Sequence, residues 1–290
     1  MSFSSDLKEE LSKISNLNKK NEVKYELIGY LISRNTSLIK NNVRFATESD
    51  YNINRFSKLL KNLNINYKID FDGKSFIIIL KVKDLVEEVK IENSNIIYFI
   101  NNIINDNEKR ALIRGVFLGG GSLNNPDKTY HLEVNLSSDK NLNVIYKLLK
   151  EMNIKCKELN QNDKYSIYIK DGEDVFNFIA LIGANNSALK FEDIRIKREM
   201  RGKVNRIVNC KTANLNKTIN ASVEQIEAIR KIQNSKKFNE LDDNLKEIAE
   251  LRLKHPDISL IDLGKKLKEP LGKSGVNYRL KKIIKIAEEL

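Results

Sequence analysis

Residues that form covalent or metal cross-links are scarce in this chain of 290 residues, which has two cysteines and two histidines. Cys156 and Cys210 are too few for the disulfide framework of a small secreted domain, and this scarcity favours a reducing cytosol. His131 and His255 lie far apart in the sequence and match no metal-binding spacing. We therefore predict neither a structural disulfide nor a histidine-based metal site.

Long apolar runs are also absent from the sequence. No apolar stretch approaches the ~18 residues that a membrane-spanning helix needs, and the N-terminus has no apolar segment of the signal-peptide type. These absences predict a soluble protein of the cytoplasm that has no membrane partner.

Acidic residues are outnumbered, because 39 of them stand against 51 lysines and arginines and leave a net charge of +12. The excess favours a polyanionic partner, although a solvated lysine-rich surface would have the same composition. The charge is uneven, since residues 1–185 carry +3, residues 186–237 carry +8 and residues 238–290 carry +1. With 41% hydrophobic residues, the chain is long enough for two domains with buried cores.

A glycine cluster lies inside an apolar stretch, since four of the twelve glycines fall between Gly115 and Gly121. Glycine inside a helix is unfavourable by roughly 1 kcal/mol relative to alanine, so the cluster needs a structural reason. We predict that Gly115 lets a partner helix pack backbone to backbone, forming a helix seam. We expect the glycines at 119–121 to end the helix in a left-handed turn.

The partner helix is indicated by an internal repeat. Residues 27–38 match residues 112–123 at an offset of 85, and the offset then becomes 89 for three further patches. One offset that holds over several patches predicts a duplicated unit of helix, strand, helix and strands. The two copies span about 23–89 and 108–183, and we expect them to meet through their first helices.

Turn and cap residues place the elements of each copy. We predict a strand at 43–47 and a hairpin at 67–82 with its turn at Asp72-Gly73, and in the second copy a hairpin turn at 161–164. Asn105 is the predicted start of the glycine-rich helix, and a helix at 96–104 is predicted to join the copies.

The duplicated pattern resembles the LAGLIDADG homing-endonuclease fold, in which two such helices form a pseudo-twofold seam and strands form a saddle on DNA. In that family each helix ends in a carboxylate that holds the catalytic metal. The resemblance assigns these positions to Asn35 and Gly120, and neither residue can supply a carboxylate for Mg²⁺. It therefore implies a degenerate site without hydrolysis.

Further motifs narrow the resemblance to the WhiA family of bacterial regulators, which join a catalytically dead endonuclease-like domain to a helix-turn-helix. The motifs are the residue runs 2–5, 8–11, 114–126, 189–193, 209–217 and 273–277. The resemblance implies transcription regulation, cell division with chromosome segregation, and sporulation in spore formers. It also implies a cytoplasmic, nucleoid-associated protein.

The most basic segment is interpreted as a connector at 189–233. We predict a helix at 189–208, a polar loop at 209–220 and a second helix at 223–233, with a linker at 234–237. The predicted domains are 1–233 and 238–290. Basic residues of the first connector helix are candidates for phosphate contacts, and a solvated connector is the alternative: Arg195, Arg198, Arg201 and Lys203.

The last fifty residues predict a helix-turn-helix. A first helix stops at His255-Pro256, a second starts at Ser259 with Asp262 in a capping box, and a third begins at Ser274 after a turn at 268–272. Five basic residues and no acid occur between Lys273 and Lys285. The residues predicted to contact DNA here are Ser259, Lys273, Ser274, Asn277, Tyr278, Arg279, Lys281 and Lys282.

Together these patterns predict an α+β fold, in which a pseudo-twofold LAGLIDADG-like duplicated domain precedes an all-α helix-turn-helix domain. The predicted function is non-enzymatic, sequence-specific binding of double-stranded DNA, with no cofactor and no metal. Other transcription regulators and RNA polymerase are candidate protein partners. The alternatives are an active homing endonuclease and a protein–protein assembly module.

Overall fold

The computed structural model describes residues 2–89, 100, 103, 105–235 and 237–290. The chain divides into two compact units, Met1–Glu199 and Met200–Leu290. This division lies inside one helix, whereas the sequence boundary was expected at residues 234–237. Most of the predicted helix at 96–104 lies outside the described residues.

The first unit contains seven complete helices and eight strands in its described part, followed by the start of an eighth helix. In chain order they are α1 Phe3–Ser12, α2 Lys20–Leu31, β1 Thr36–Ile39, β2 Asn42–Thr47, α3 Asp50–Asn62, β3 Tyr67–Phe71, β4 Phe76–Lys81, α4 Val82–Val89, α5 Asp106–Gly120, β5 Gly121–Leu123, β6 Leu132–Leu136, α6 Asp139–Glu151, β7 Lys157–Gln161, β8 Lys164–Ile169 and α7 Gly172–Leu181. The eighth helix, α8 Asn185–Asn234, continues into the second unit. There the order is a 3₁₀ turn Lys237–Glu240, α9 Asp243–Lys254, α10 Leu260–Lys265 and α11 Lys273–Glu288.

Two antiparallel sheets of four strands repeat one topology. Their strand orders are β1-β2-β4-β3 and β5-β6-β8-β7. Phe45 pairs with Ile78 in the first sheet, and Val134 pairs with Ile167 in the second, so the offset of 89 holds in the strand register. The predicted duplication is therefore confirmed for the sheets, and the short strands β1 and β5 are additions that the sequence did not indicate.

The hairpin turns follow the predicted chemistry. Gly73 has a φ of 90°, and the Asp72 carboxylate accepts hydrogen bonds from the backbone N–H groups of Ser75 and Lys74 at 2.7 and 3.0 Å. These backbone hydrogen bonds lower the pKa of Asp72. In the second copy Asn162 and Asp163 both have positive φ, at 51° and 56°, as a two-residue type I′ turn requires.

Helices α2 and α5 pack with their backbones in contact. A Cβ atom built at Gly29 would overlap the Leu112 carbonyl oxygen, and one at Gly115 would overlap the Glu26 carbonyl oxygen. Since Gly29 stands opposite Gly115, the seam has an offset of 86, one more than the sequence match indicated. Only glycine allows this separation at both positions.

A buried charge cluster links the two copies across the seam. The Glu26 side chain is fully buried, and its carboxylate lies 2.7 Å from Arg55 Nε and 3.0 Å from Arg114 Nη2. Arg55 also donates a hydrogen bond from Nη1 to the Ile14 carbonyl oxygen at 2.7 Å. Burial alone would raise the pKa of Glu26, but Arg114 and Arg55 outweigh it and hold that pKa below its ordinary value.

The glycines at the end of α5 do not form the left-handed turn that we predicted. Helix α5 continues to Gly120, and Gly121 has a φ of −88° and begins strand β5. A Cβ atom at Gly119 would overlap Ser33 Oγ, and one at Gly120 would overlap the Asn135 carbonyl oxygen. The prediction was wrong because these glycines provide close packing rather than an unusual backbone angle.

The loop predicted at 209–220 is also wrong, because α8 is one continuous helix of 50 residues. Its sequence contains no proline and a single glycine, Gly202, so no residue in the polar stretch stops a helix. Residues 203–217 are all exposed, and their polar side chains therefore keep contact with water. The Glu10 carboxylate accepts hydrogen bonds from the Asn186 and Ser187 backbone N–H groups at 2.8 Å and so caps the helix start.

The core of the second unit is a separate apolar cluster. Ile229 and Ile232 of α8 pack with buried side chains of the next three helices. These are Leu245 and Ile248 of α9, Leu263 of α10, and Val276, Leu280, Ile283 and Ala287, which form the buried stripe of α11. No helix in the described ranges is long and apolar enough to cross a bilayer.

The glycine seam predicts opposite effects of one substitution at two helical glycines. Gly115→Ala should lower the free energy of unfolding by about 1–3 kcal/mol, because its methyl group would overlap a backbone carbonyl. Gly202→Ala should raise it by about 0.5–1 kcal/mol, since the nearest atom there is a flexible arginine end at 3.6 Å. Urea unfolding of both variants measures the difference, and an equal effect at both sites would contradict the seam.

The buried cluster predicts a pH dependence of stability. Because the folded pKa of Glu26 is lowered, its contribution is complete above the ordinary value of 4.5 and is lost as the pH falls through the folded pKa. Glu26→Gln should cost about 3–5 kcal/mol at pH 7, since two arginines lose their buried counter-charge. The free energy of unfolding of this variant should also fall less steeply as the pH is lowered from 7 to 3, as measured by urea unfolding at each pH.

The matched control for this change is Glu9→Gln, which removes an exposed partner of Lys13. This variant should lose less than about 1 kcal/mol, as exposed ion pairs contribute little. If both variants lost the same small amount, the Glu26 carboxylate would not be the buried counter-ion described here.

Candidate nucleic-acid interface

Helices α10 and α11 and the turn between them form a helix-turn-helix. The Leu271 backbone N–H donates a hydrogen bond to the Gly264 carbonyl oxygen at 3.1 Å, and a Cβ atom at Gly264 would overlap the Leu271 carbonyl oxygen. The turn therefore packs closely against α10 because position 264 is glycine. We did not single out Gly264 from the sequence, where an isolated glycine in a short helix is an ambiguous signal.

The face of α11 opposite its buried stripe carries the predicted base-reading residues. Lys273, Ser274, Tyr278 and Lys281 are exposed, with Tyr278 71% exposed, while Asn277 and Arg279 are half-buried. Between residues 273 and 285 this face contains no acidic residue. It therefore presents amide, hydroxyl and cationic donors of the kind that hydrogen bond to base edges and phosphates.

Two other predicted contact residues have partners inside the second unit. The Ser259 hydroxyl accepts a hydrogen bond from the Asp262 backbone N–H at 3.2 Å and donates one to the Asp262 carboxylate at 2.8 Å. It therefore caps α10, and Lys265 and Ser259 together lower the pKa of Asp262. Lys282 Nζ lies 3.3 Å from the Asp242 carboxylate in an exposed pair, which is weak enough to exchange for another anion.

The predicted phosphate contacts on α8 fall in both units. Arg195 makes two hydrogen bonds to the Glu192 carboxylate, at 2.7 and 2.6 Å, and this contact raises the pKa of Arg195 and lowers that of Glu192. The Arg198 guanidinium donates to the Pro126 carbonyl oxygen at 2.7 Å and lies 4.3 Å from the centre of the Tyr130 ring. The structure thus gives these two arginines local partners in the first unit.

Arg201 and Lys203 belong to the second unit, in the exposed part of α8. The unit boundary after Glu199 therefore divides the four candidate phosphate contacts into two pairs. Whether any of the four touches a phosphate stays a prediction.

The ends of the seam helices have no carboxylate at the positions matched to a metal ligand. Thr36 pairs with Phe45 and Gly121 pairs with Val134, so in the strand register Asn35 corresponds to Gly120 at the predicted offset of 85. Counting from the opposed glycines inside the helices would give Arg34, one position earlier. The Arg34 backbone N–H donates to the Asn135 carbonyl oxygen at 3.1 Å. Within the described ranges, no group of three or more histidines, cysteines, aspartates or glutamates is placed to hold a metal ion.

Two family models match the chain in the order of its two units. The model described as the WhiA LAGLIDADG-like domain matches residues 109–201, and the model described as the WhiA C-terminal HTH domain matches residues 204–287. The first match covers the second copy of the duplicated unit and the start of α8. The second match covers the rest of α8 and the helix-turn-helix.

Similar proteins cover the whole chain. A protein of Clostridium tetani named "Probable cell division protein WhiA" is 42% identical over 100% of this chain and 98% of its own length. The crystal structure of full-length DUF199/WhiA from Thermatoga maritima has a TM-score of 0.62 and 30% identity, covering 100% of this chain and 99% of that one. The crystal structure of the N-terminal LAGLIDADG domain of DUF199/WhiA has a TM-score of 0.53 and 27% identity, over 63% and 92%.

These matches confirm the predicted α+β fold class, with a duplicated LAGLIDADG-like domain followed by a helix-turn-helix domain. The family resemblance drawn from the sequence motifs is confirmed as well, since a full-length relative exceeds 40% identity. The chain therefore belongs to the WhiA family.

Proposed function

We propose that the chain is a sequence-specific, non-enzymatic binder of double-stranded DNA. The observation that carries this proposal is the face of α11, where exposed lysines flank Ser274, Asn277 and Tyr278 without an acidic residue. The N-terminal half of such a helix enters the major groove in a helix-turn-helix complex. Asn277 can read adenine with both atoms of its amide, and Lys273 and Lys281 can reach phosphates or guanine.

The lack of a carboxylate at the two positions matched to a metal ligand supports a function without hydrolysis. Arg34 and Asn35 lie in the turn after α2 and Gly120 ends α5, at the positions where a nuclease of this fold would hold its metal. Mg²⁺ is held by carboxylate and other negative oxygens, so an arginine, an amide and a glycine do not replace them. The first unit would then serve as a scaffold or as a further DNA-contacting surface.

The names of the relatives support a role in cell division. We propose that the chain regulates transcription, that it acts in cell division and chromosome segregation, and that it acts in sporulation where the host forms spores. Such a protein would lie on the nucleoid in the cytoplasm. Other transcription regulators and RNA polymerase are the proposed protein partners.

A protein-interaction function is the second candidate, and one observation favours it. The part of α8 in the second unit exposes large apolar side chains, each more than half exposed: Met200, Val204, Ile207, Val208 and Leu215. A surface helix of this kind is typical of a protein contact. An assembly module without DNA binding would show no salt-dependent affinity for DNA, which separates the two functions.

The absence of catalysis is tested by incubating the purified chain with DNA and metal ions. We expect retention of duplex DNA in a mobility-shift assay and no cleavage with Mg²⁺ or Mn²⁺, because the helix ends carry no carboxylate. The duplex is selected from a random library by binding. Cleavage that requires the metal and is abolished by EDTA would show that the chain is a nuclease.

Base reading by α11 is tested with Asn277→Ala. This change should cost roughly 1–3 kcal/mol of binding free energy on the selected duplex and little on random duplexes, since it removes a base contact. Equilibrium binding to both duplexes by fluorescence anisotropy measures the difference. An equal loss on both would mean that this helix does not read sequence.

The double variant Arg201→Gln, Lys203→Gln is the matched comparison. It should weaken selected and random duplexes alike, and each lost phosphate contact should reduce the slope of log affinity against log salt by about 0.9. An unchanged slope would indicate that this part of α8 is only a solvated connector.

A further inference from the structure

A cavity of about 270 Å³ in the second unit is lined by residues of all four of its α-helices. Three lining residues are cationic, namely Lys217 of α8, Arg252 of α9 and Lys273 of α11. Thr218, Gln225 and Ser259 add polar groups, and the lining includes no acidic residue. Positive charge from three separate helices is therefore directed to one small space.

Arg252 is the lining residue of this cavity with the least exposed charge, since it is 1% exposed. Its Nη1 donates to the carbonyl oxygens of Ile258 and Pro256 at 3.0 and 3.3 Å. Its Nε is buried and has no hydrogen-bond partner in the described part of the chain. Burial lowers the pKa of Arg252, and no carboxylate among the described residues opposes this effect. A buried guanidinium without a counter-ion is unfavourable, and a bound anion would relieve it.

Gln225 is a second buried polar residue of this cavity with an atom left unpartnered in the described ranges. It is 5% exposed, and one of its two amide heteroatoms, Oε1, is buried without a partner among the described residues. Because the amide can be turned, either its oxygen or its NH₂ group can meet a ligand in the cavity. Asp262, the acid hydrogen bonded to Ser259, is already neutralised by Lys265 at 3.0 Å.

The start of α11 adds donors at the same place. This helix of 16 residues begins at Lys273, and its N-cap Gly272 has no side chain to accept the first backbone N–H groups. The N-terminus of a helix favours an anion, and here it coincides with a buried arginine and two lysines. Phosphate offers several acceptor oxygens, which matches donors that come from different directions better than a planar carboxylate does.

We propose that this cavity binds a phosphate group, held by Arg252, Lys217 and Lys273. The phosphate can come from the backbone of bound duplex DNA or from free phosphate and phosphorylated small molecules. The first source rests on the proposed DNA binding, and the second does not. In the first case the cavity anchors the helix-turn-helix on one backbone phosphate; in the second it makes the domain responsive to a small anion.

The free source is tested on the full chain with inorganic phosphate as the probe, at an ionic strength held constant with chloride. If the site takes free phosphate, millimolar phosphate should raise the melting temperature. Lys217→Gln should weaken phosphate binding by about tenfold, as expected for one charge-assisted hydrogen bond. The control is Lys211→Gln, which removes the same charge from the exposed part of the same helix but lies outside the cavity.

The DNA source is tested with the same two variants on random duplexes across a salt series. If the cavity holds a backbone phosphate, Lys217→Gln should reduce the salt slope by about 0.9 and Lys211→Gln should leave it unchanged. Lys273→Gln should repeat the result of Lys217→Gln. Arg252→Met is a further variant, which removes the buried charge itself. If this variant does not fold, the two lysine variants decide the test.

The phosphate titration and the DNA salt series distinguish the two sources. A loss in either experiment that is specific to the cavity variants supports the site and identifies the source of its phosphate. If Lys217→Gln and Lys273→Gln match Lys211→Gln in both experiments, the proposal is overturned. If the wild-type chain binds no DNA at all, the proposed function fails, and the phosphate titration alone decides whether the cavity binds phosphate.

Discussion

The first unit depends on a backbone-to-backbone contact between two helices. Gly29 and Gly115 face each other across the seam, and a methyl group on either would overlap a carbonyl oxygen of the partner helix. This close approach sets how near the two copies of the repeat can come, and each copy then builds a four-stranded sheet from its own helix outward. A larger residue at either position would displace both copies.

Charge inside the seam makes the two copies unequal. Glu26 is fully buried and pairs with Arg55 of its own copy and with Arg114 of the other. The residue that stands at the equivalent position in α5 is Leu112, so the pair has no symmetric counterpart. A buried ion pair contributes little net stability but strongly disfavours arrangements that leave one charge alone. Glu26 therefore favours the one arrangement of the seam in which both arginines face its carboxylate.

Much of this fold was accessible from the sequence because repeats and turns are local patterns. The offset of 89 recurs in strand register, and Asp72-Gly73 and Asn162-Asp163 turn as their residue types require. The helix offset of 86 could not be predicted from the sequence, since it depends on which faces of the two helices meet. The unbroken helix at 209–220 was missed because Asn and Thr in a polar run indicate a loop, whereas the absence of a helix breaker was the stronger fact.

The candidate interface was predictable to a similar degree. The buried stripe and the polar face of α11 follow from helical periodicity, and the Arg195–Glu192 pair is a local contact three residues apart in α8. The partners of Arg198, in contrast, depend on tertiary contacts with Pro126 and Tyr130. The role of Ser259 as a cap was visible in its spacing to Asp262. The cavity around Arg252 was not visible, because no local pattern marks an arginine that will be buried without a counter-ion.

The central claim is that α11 directs this chain to particular DNA sequences. The most direct measurement is genome-wide DNA occupancy of the wild-type chain and of Asn277→Ala in the host cell, at equal protein levels. We predict that the wild-type chain occupies discrete sites that share one sequence motif, and that the variant loses these sites while it retains weak, uniform association. Occupancy that is uniform for the wild-type chain, or unchanged in the variant, would contradict this claim.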